Sequence, residues 1–182
     1  ENKNVKKTET FIYKTEKLSN IPEKRPVVAG SGPAGIFAAL ILAEAGLKPV
    51  ILERGKNVDE RKKDVYDFFK TGILNTESNV QFGEGGAGTF SDGKLTTNTH
   101  NIRIKKVINE FIEAGGGEEL AYMSKPHVGT DRLIGILRNI RKKIEGLGGE
   151  YRFQNKLISI NHSDGRLQGI KVAGPDGEYL KI

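Results

Sequence analysis

The sequence lacks the residues that carry redox chemistry of their own. Its 182 residues include no cysteine and no tryptophan, and Met123 is the single methionine. Without cysteine the chain forms no disulfide, no thiolate metal site and no dithiol relay. Any redox chemistry at this chain therefore needs a cofactor. Because the first residue is not methionine, we interpret the chain as an excised piece of a longer protein.

Long apolar runs are missing as well. No stretch reaches the roughly 18 consecutive apolar residues that a membrane helix requires. The polar N-terminal residues lack the apolar core of a secretory signal. We therefore expect no membrane span and a cytoplasmic location.

The net charge of +6 is spread over short basic clusters such as residues 61–63 and 141–143. These clusters alternate with apolar positions at helical spacing, which is typical of solvent-exposed helix faces, and no aromatic stripe accompanies them. We expect no nucleic-acid partner. The three histidines do not have the spacing of metal ligands, so no metal site is predicted.

The chain becomes apolar after a linker that contains two prolines. Residues 27–55 form a short apolar run, a glycine-rich turn, an almost uniformly apolar helix and a second apolar run. This order has the size of one parallel crossover unit. We therefore predict an α/β fold with a Rossmann-like parallel sheet. Residues 1–25 are then an N-terminal tail or linker, and residues 26–182 form one domain.

The turn in this unit fits the pattern G-x-G-x-x-G of dinucleotide-binding proteins. In that pattern the first glycine allows a tight turn, the second lets a pyrophosphate approach the backbone, and the third allows helix and strand to pack closely. Unpaired N–H groups at the helix N-terminus then attract the phosphates. The matching residues are Gly30, Ser31, Gly32, Pro33, Ala34 and Gly35.

Glu53 ends the second apolar run, where an acidic side chain accepts hydrogen bonds from ribose hydroxyls. A carboxylate there argues against a 2′-phosphate, although the adjacent Arg54 weakens that argument. The pattern does not choose between FAD and NAD. The structural alternative is a tight strand-to-helix turn that binds no nucleotide.

Two helices are predicted between this unit and residue 117. One covers about residues 59–70, with Val65, Phe68 and Phe69 pointing inward. The other carries apolar residues at three- and four-residue spacing over 104–112 and ends at a run of three glycines.

A further helix is predicted to begin at a capping Thr130 or Asp131. In the strand predicted for residues 151–160, the apolar positions change phase near Asn155, which indicates a bulge or burial on both faces. From this strand onward, short polar turns predict a three-stranded antiparallel meander. The apolar stripe of the helix consists of Leu133, Leu137, Ile140 and Ile144.

A second glycine-rich stretch, GEGGAGTFSDGKL at residues 83–95, contains most of a triphosphate-binding loop. Such a loop needs Ser or Thr after its lysine to hold magnesium, and here Leu95 follows Lys94. The loop should also open a helix, but the residues that follow are poor helix formers. A triphosphatase is therefore disfavoured. A flexible connection is the other alternative.

This stretch, together with GSGPAG (30–35), ERG (53–55) and KPHVGTDRL (125–133), resembles a family of uncharacterised FAD-dependent dehydrogenases in the glutathione-reductase-like flavoprotein group. The resemblance runs from about residue 26 to the end. It implies that the first motif takes the FAD pyrophosphate, that Glu53 takes the adenosine ribose and that the second stretch runs toward the flavin. The contacts implied in that stretch are Gly86, Ala87, Gly88, Thr89, Ser91 and Asp92.

Two more expectations follow from the resemblance. A late strand of related flavoproteins contacts the adenine through backbone groups, which implies this role for Leu157; an ordinary buried strand residue is the alternative. Such proteins also close the FAD domain with a later parallel strand and a flavin-holding segment. Nothing in this sequence matches them, so we expect an FAD-binding domain that is incomplete at its C-terminus.

The expected function is the FAD-binding portion of a flavin-dependent oxidoreductase, a dehydrogenase with an unidentified small-molecule substrate and NAD(P)H as its candidate electron donor. The alternative is a non-catalytic dinucleotide-binding module. No catalytic residue is assigned. His127 could exchange protons but is interpreted as a loop histidine that orients the next helix. Lys94 could stabilise a reduced flavin or lie at the surface.

Overall fold

The structure, a computed structural model, describes residues 12–91, 94–95, 99–123, 126–175 and 179–181. It has an α/β fold with two sheets. The helices are α1 (Pro33–Glu44), α2 (Val58–Thr71), α3 (Ile104–Phe111) and α4 (Thr130–Gly146). The strands are β1 (Val27–Ala29), β2 (Val50–Glu53), β3 (Glu150–Phe153), β4 (Lys156–Ser163), β5 (Arg166–Ala173) and β6 (Tyr179–Lys181).

The first sheet is parallel, with β2 between β1 and β3. Ile51 of β2 lies opposite Val28 on one side and Tyr151 on the other. All four residues of β2 are buried, as expected for a central parallel strand covered on both faces. The predicted α/β fold with a Rossmann-like parallel sheet is confirmed.

Helix α1 connects β1 to β2 and begins and ends where the sequence predicted. Pro33 occupies its first turn, where the missing N–H costs nothing. Gly46 follows the last turn with a φ of +91°, a conformation that favours glycine. The side chains of Ile36, Ala39 and Leu40 are buried in the main core.

Helix α4 packs against α1 through the predicted apolar stripe, which is buried along its whole length. The predicted cap was wrong. Gly129 is the capping residue, and neither Thr130 nor Asp131 caps the helix with its side chain. The Thr130 hydroxyl instead donates to the carbonyl of Ser91 at 3.3 Å, so it links the helix to the second glycine-rich stretch.

Helix α2 buries the predicted face in its first part only. Val65 is buried, but Phe69 is 74% exposed, so its inward orientation was wrong. The buried positions are Val58, Arg61 and Val65, three and four residues apart. Phe69 continues this row by its spacing but lies near the end of the helix, where the row is exposed. Arg61 is fully buried, and the interpretation of cluster 61–63 as a solvent-exposed face was therefore wrong at this residue.

The predicted strand at 151–160 is two strands in two sheets. Strand β3 ends at Phe153, and Gln154, with a φ of +57°, turns the chain into β4. The change of phase near Asn155 thus marks the passage from the parallel sheet to the meander. The three-stranded antiparallel meander β4–β5–β6 is confirmed, and its register shifts lie inside β4, after Leu157 and after Asn161.

Residues 12–25 form no helix or strand but lie against the fold. The Thr15 hydroxyl donates to Glu44 at 2.6 Å, and the Leu18 N–H donates to the carbonyl of Ala45 at 3.2 Å. Arg25 pairs with Glu150 at the start of β3 at 2.7 Å. The division into residues 1–25 and 26–182 stays a prediction. No described helix is long and apolar enough to span a membrane.

Candidate functional site

The turn between β1 and α1 has the geometry that its glycines predict. Gly30 has a φ of +92°, which permits the tight turn after β1. A β-carbon on Gly35 would lie 2.0 Å from the carbonyl oxygen of Gly30, so only glycine allows helix and strand to approach this closely. Gly32 is different, because a β-carbon there would meet nothing nearer than the Cα of Gly86 at 3.9 Å. The open space beside Gly32 belongs to a cavity.

This cavity has a volume of about 340 Å³ and lies at the carboxyl ends of β1 and β2. Crevices at this edge are where open α/β sheets bind their ligands. Six of the predicted site residues line the cavity: Gly30, Gly32, Glu53, Arg54, Gly86 and Leu157. The remaining lining residues are Ala29, Leu52, Gln81, Phe82, Gly83, Asn155 and Lys156.

Glu53 has only 4% of its surface exposed, and its carboxylate accepts four hydrogen bonds from the protein. One oxygen accepts from the N–H and the hydroxyl of Ser31, both at 2.8 Å. The other accepts from the N–H of Gly55 at 2.8 Å and of Gly83 at 3.1 Å. A carboxylate has about four lone-pair positions, so any further donor would have to replace one of these four. Glu53 joins the first glycine turn to the second.

Arg54 forms one wall of the cavity. Its guanidinium stacks on the ring of Phe82 at 3.9 Å and donates two hydrogen bonds to Glu77, at 3.0 and 2.9 Å. Lys156 also donates to Glu77, at 3.1 Å. Burial opposes ionisation of Glu77, but the hydrogen bonds from Arg54 and Lys156 hold its pKa below the usual value. Arg54 and Lys156 thus bring two cations to the cavity wall, and Glu77, which is outside the lining, offsets part of their charge.

The second glycine-rich stretch continues from this cavity. Gly86 lies beside the first turn, and residues Ala87–Phe90 form one short 3₁₀ turn. Gly88, Thr89 and Ser91 line a smaller cavity of about 100 Å³ together with Pro33 of α1. Ala87 is exposed and Thr89 is buried. The predicted contact Asp92 lies outside the described residues.

The two longest motifs of the family resemblance, at residues 83–95 and 125–133, contact each other in the structure. Lys94 pairs with His127 as an isolated antiparallel bridge, and the N–H of Leu95 donates to the carbonyl of Pro126 at 3.0 Å. No described residue between Lys94 and Arg103 is α-helical, whereas a triphosphate loop should open a helix there. His127 is exposed, and its backbone pairing agrees with the interpretation that it orients the chain before α4.

Sequence reasoning missed two buried charged residues behind the cavity, Arg61 and Glu84. Burial lowers the pKa of Arg61 to about 10, while Glu53 and Glu84 oppose the shift, so the guanidinium stays protonated at neutral pH. Burial raises the pKa of Glu84, against the opposing effects of Arg141 and the N–H of Val58. Burial likewise raises the pKa of Tyr151. A signal in the sequence for the burial of Arg61 was its position on one helix face with Val58, three residues before it, and Phe68, seven residues after it.

No family model matches the chain. A protein of Clostridium beijerinckii (strain ATCC 51743 / NCIMB 8052), described only as uncharacterized, is 52% identical over 170 residues, which are 93% of this chain and 31% of that protein. The chain therefore spans about a third of the length of this relative.

Solved structures of other proteins share the fold, among them the following two. THI4 of Thermovibrio ammonificans matches with a TM-score of 0.53 and 14% identity, over 87% of this chain and 53% of THI4. The 3-ketosteroid-delta4-(5alpha)-dehydrogenase of Rhodococcus jostii RHA1, solved with 4-androstene-3,17-dione, matches with a TM-score of 0.51 and 16% identity, over 93% of this chain and 46% of the dehydrogenase. At such identities the likeness concerns the fold alone.

Proposed function

We propose that this chain is the FAD-binding portion of a flavin-dependent oxidoreductase. The observation that carries the proposal is the cavity at the ends of β1 and β2, where the G-x-G-x-x-G turn, Glu53 and Gly86 meet. FAD, when bound, would supply the hydride or electron transfer, and the protein would supply binding, orientation and electrostatics. A ketosteroid dehydrogenase has the same fold, so the fold is compatible with an oxidoreductase.

The residues around Gly32 fit a pyrophosphate group. The N-terminus of α1 presents first-turn N–H groups that have no partner within the helix, and the helix dipole favours negative charge there. The absence of a side chain at Gly32 leaves the cavity open at this point. Arg54 and Lys156 add positive charge at the cavity wall. We assign the pyrophosphate to this turn, formed by residues 30–35.

The adenosine half would occupy the side of the cavity formed by Glu53, Arg54 and Leu157. We propose that Glu53 binds the ribose when the hydroxyl of Ser31 rotates away, because a hydroxyl donor is easier to exchange than a backbone N–H. Leu157 stands at the start of β4, half-buried in the cavity wall, where its backbone could contact the adenine. Gly86, Ala87, Gly88, Thr89 and Ser91 would lead toward the flavin.

The absorption spectrum of the full-length purified protein tests the proposal most directly. We expect flavin bands, and bleaching of these bands under anaerobic conditions by NADH or NADPH, the electron donors we propose. If the flavin bands appear but neither a nicotinamide nor an organic substrate reduces the flavin, a non-catalytic dinucleotide-binding module would be favoured. A colourless protein that fails to bind added FAD would contradict the proposal.

Gly32→Val tests the placement of the pyrophosphate. The backbone of Gly32 has a φ of −72°, which valine adopts, and a β-carbon there would touch only the Cα of Gly86, at an ordinary 3.9 Å, so we expect the variant to fold. The valine side chain would fill the phosphate position and weaken FAD binding by about tenfold or more, the factor that about 1.4 kcal/mol gives. Gly146→Val is the matched control, since Gly146 is exposed at the end of α4 and away from the cavity. Unchanged FAD affinity in Gly32→Val would show that the pyrophosphate lies elsewhere.

A further inference from the structure

Arg61 of α2 is fully buried, and its guanidinium donates to five backbone carbonyls of one loop. We call this loop, residues 79–86, the Arg61 loop. The nitrogen Nε donates to Asn79 at 2.8 Å and Nη2 donates to Val80 at 2.8 Å. The nitrogen Nη1 donates to the carbonyls of Glu84 at 2.7 Å, Gly86 at 2.9 Å and Gly83 at 3.4 Å.

The side chain of Arg61 is closely packed on several sides. A β-carbon on Gly83 would lie 2.4 Å from Cδ of Arg61, so the loop packs directly against the arginine stem. The ring of Phe90 lies 4.9 Å from the guanidinium carbon. In the described part of the chain, no carboxylate lies within ion-pair distance of Arg61. The five carbonyl dipoles therefore compensate this buried charge at hydrogen-bond distance, and the carboxylates of Glu53 and Glu84 add to this from farther away.

The Arg61 loop is also the wall of the cavity that faces the first glycine turn. The N–H of Gly85 donates to the carbonyl of Ser31 at 2.8 Å, and the N–H of Gly83 donates to Glu53. A β-carbon on Gly86 would lie 3.2 Å from the Cα of Gly32. The position of this loop thus decides how much space remains beside Gly32.

The direction of the loop carbonyls matters for an anionic ligand. Gly83 and Gly86 line the cavity, whereas Arg61 lies behind them. Because both carbonyl oxygens accept from Arg61, they point away from the cavity. If they faced the cavity, their negative ends would repel a diphosphate.

We propose that Arg61 is a positioning residue of the cofactor site, which holds the Arg61 loop against Gly32 and turns the loop carbonyls away from the cofactor diphosphate. The proposal rests on the proposed FAD-binding function. It differs from a general contribution to stability, because Arg61 would act on one loop and through it on the ligand.

Lysine cannot reproduce this arrangement. Arginine has five N–H donors in a planar fork, whereas lysine has three donors on one nitrogen. Arg61→Lys keeps the charge but leaves part of the carbonyl set unpaired, and Arg61→Met removes both the charge and the donors at similar length. The two variants together separate the effect of charge from the effect of geometry.

The test measures FAD affinity and amide hydrogen exchange in the full-length protein. We expect Arg61→Lys to weaken FAD binding about tenfold and Arg61→Met about 100-fold, as expected for the loss of one or two hydrogen bonds to buried groups. Without FAD, exchange should rise in the Arg61 loop and the adjoining residues 87–91, and stay at the native level in α1 and β2. In Arg61→Ala, added methylguanidinium should restore part of the FAD affinity.

Arg138→Met is the matched control. Arg138 joins α4 to α2 through Asp59 but donates to no carbonyl of the Arg61 loop, so FAD affinity should not change. Native FAD affinity in Arg61→Met would overturn the proposal. A uniform rise in exchange across α1, β2 and the loop, with no rescue by methylguanidinium, would also overturn it, since it indicates global destabilisation.

The exchange experiment keeps this inference separate from the proposed function. If the native protein bound no FAD, the proposed function would fail. Exchange confined to the Arg61 loop in Arg61→Met would then still show that Arg61 positions this loop, and only its link to the cofactor would be lost. Native exchange in the loop would show that Arg61 does not position it.

Discussion

Residues 30–35 and residues 83–91 are both rich in glycine and both reach the same cavity, but they are held in place differently. The first segment is held by its neighbours in the chain, since β1 precedes it and α1 follows it directly, and by the two hydrogen bonds that Ser31 donates to Glu53. The second is held by side chains from distant elements, namely Arg61 of α2, Glu53 of β2 and Leu137 of α4. A spacing pattern therefore describes the first segment well and the second poorly.

The two segments should also differ in how much folding stability a substitution costs. Close approach in the first segment is between backbone atoms, as between Gly35 and the carbonyl of Gly30. A β-carbon added at Gly83 in the second would instead meet the side chain of Arg61, although the backbone of Gly83 also lies close to that of Gly55. Side chains shift more easily than backbone, so substitutions in the second segment should cost less stability and change its conformation more.

The largest effect is expected at Gly35. Gly35→Ala places a β-carbon 2.0 Å from the carbonyl oxygen of Gly30, and neither backbone can yield without moving β1 or α1. We expect the free energy of unfolding to fall by about 3 kcal/mol, at the upper end for overpacking. Urea unfolding followed by circular dichroism measures it.

Gly135→Ala is the control for a glycine inside a helix. No atom lies within 4 Å of its β-carbon position, so this variant should gain about 0.5–1 kcal/mol from the better helix propensity of alanine. If Gly35→Ala were as stable as the native protein, the backbone of the first segment would not be as tightly constrained as described.

A smaller effect is expected at Gly83 in the second segment. Gly83→Ala combines a φ of +120° with a contact of 2.4 Å to Cδ of Arg61. We expect a loss of about 2 kcal/mol in the free energy of unfolding, together with faster amide exchange in the Arg61 loop.

Gly165→Ala isolates the backbone part of that cost. Gly165 has a φ of +71° in the β4–β5 turn and no atom within 4 Å of its β-carbon position, so the loss should be about 1 kcal/mol. Equal losses at Gly83 and Gly165 would mean that the contact with Arg61 contributes nothing.

The smallest effect is a pH dependence at Glu84, which belongs to the second segment only. Burial raises its folded pKa above the usual value of 4.5, so the folded protein favours the protonated form. The contribution of Glu84 to stability is therefore largest at low pH and is lost as the pH rises through and above 4.5.

Glu84→Gln removes this titration while keeping an oxygen that can accept from the N–H of Val58. The stability of this variant relative to the native protein should rise with pH, starting within about 1 kcal/mol of it in acid. Urea midpoints over a pH series measure it, with the exposed Glu23→Gln as control. A relative stability that falls with pH would contradict the raised pKa.

Local sequence predicted most of the fold. Pro33, Gly46 and the apolar residues between them specify α1, and the spacing of Leu133, Leu137, Ile140 and Ile144 specifies the buried face of α4. In both cases the signal lies within one helix. The errors occurred where an element meets a distant one, as at Arg61, at the cap of α4 and at the break between β3 and β4. There, tertiary contacts overrule local preference.

At the site, residue spacing and the family resemblance together predicted six residues that line one cavity. They did not predict the contacts that hold the walls of this cavity in place. The sequence by itself determined the strand, turn and helix of the first glycine segment, because each of those geometries depends on residues a few positions apart. Only the tertiary structure decided that Arg61 is buried, that Glu53 joins the two glycine segments, and that Gly86 lies beside Gly32. These contacts link residues far apart in the chain, and their geometry exists only once the sheet and the helices have packed.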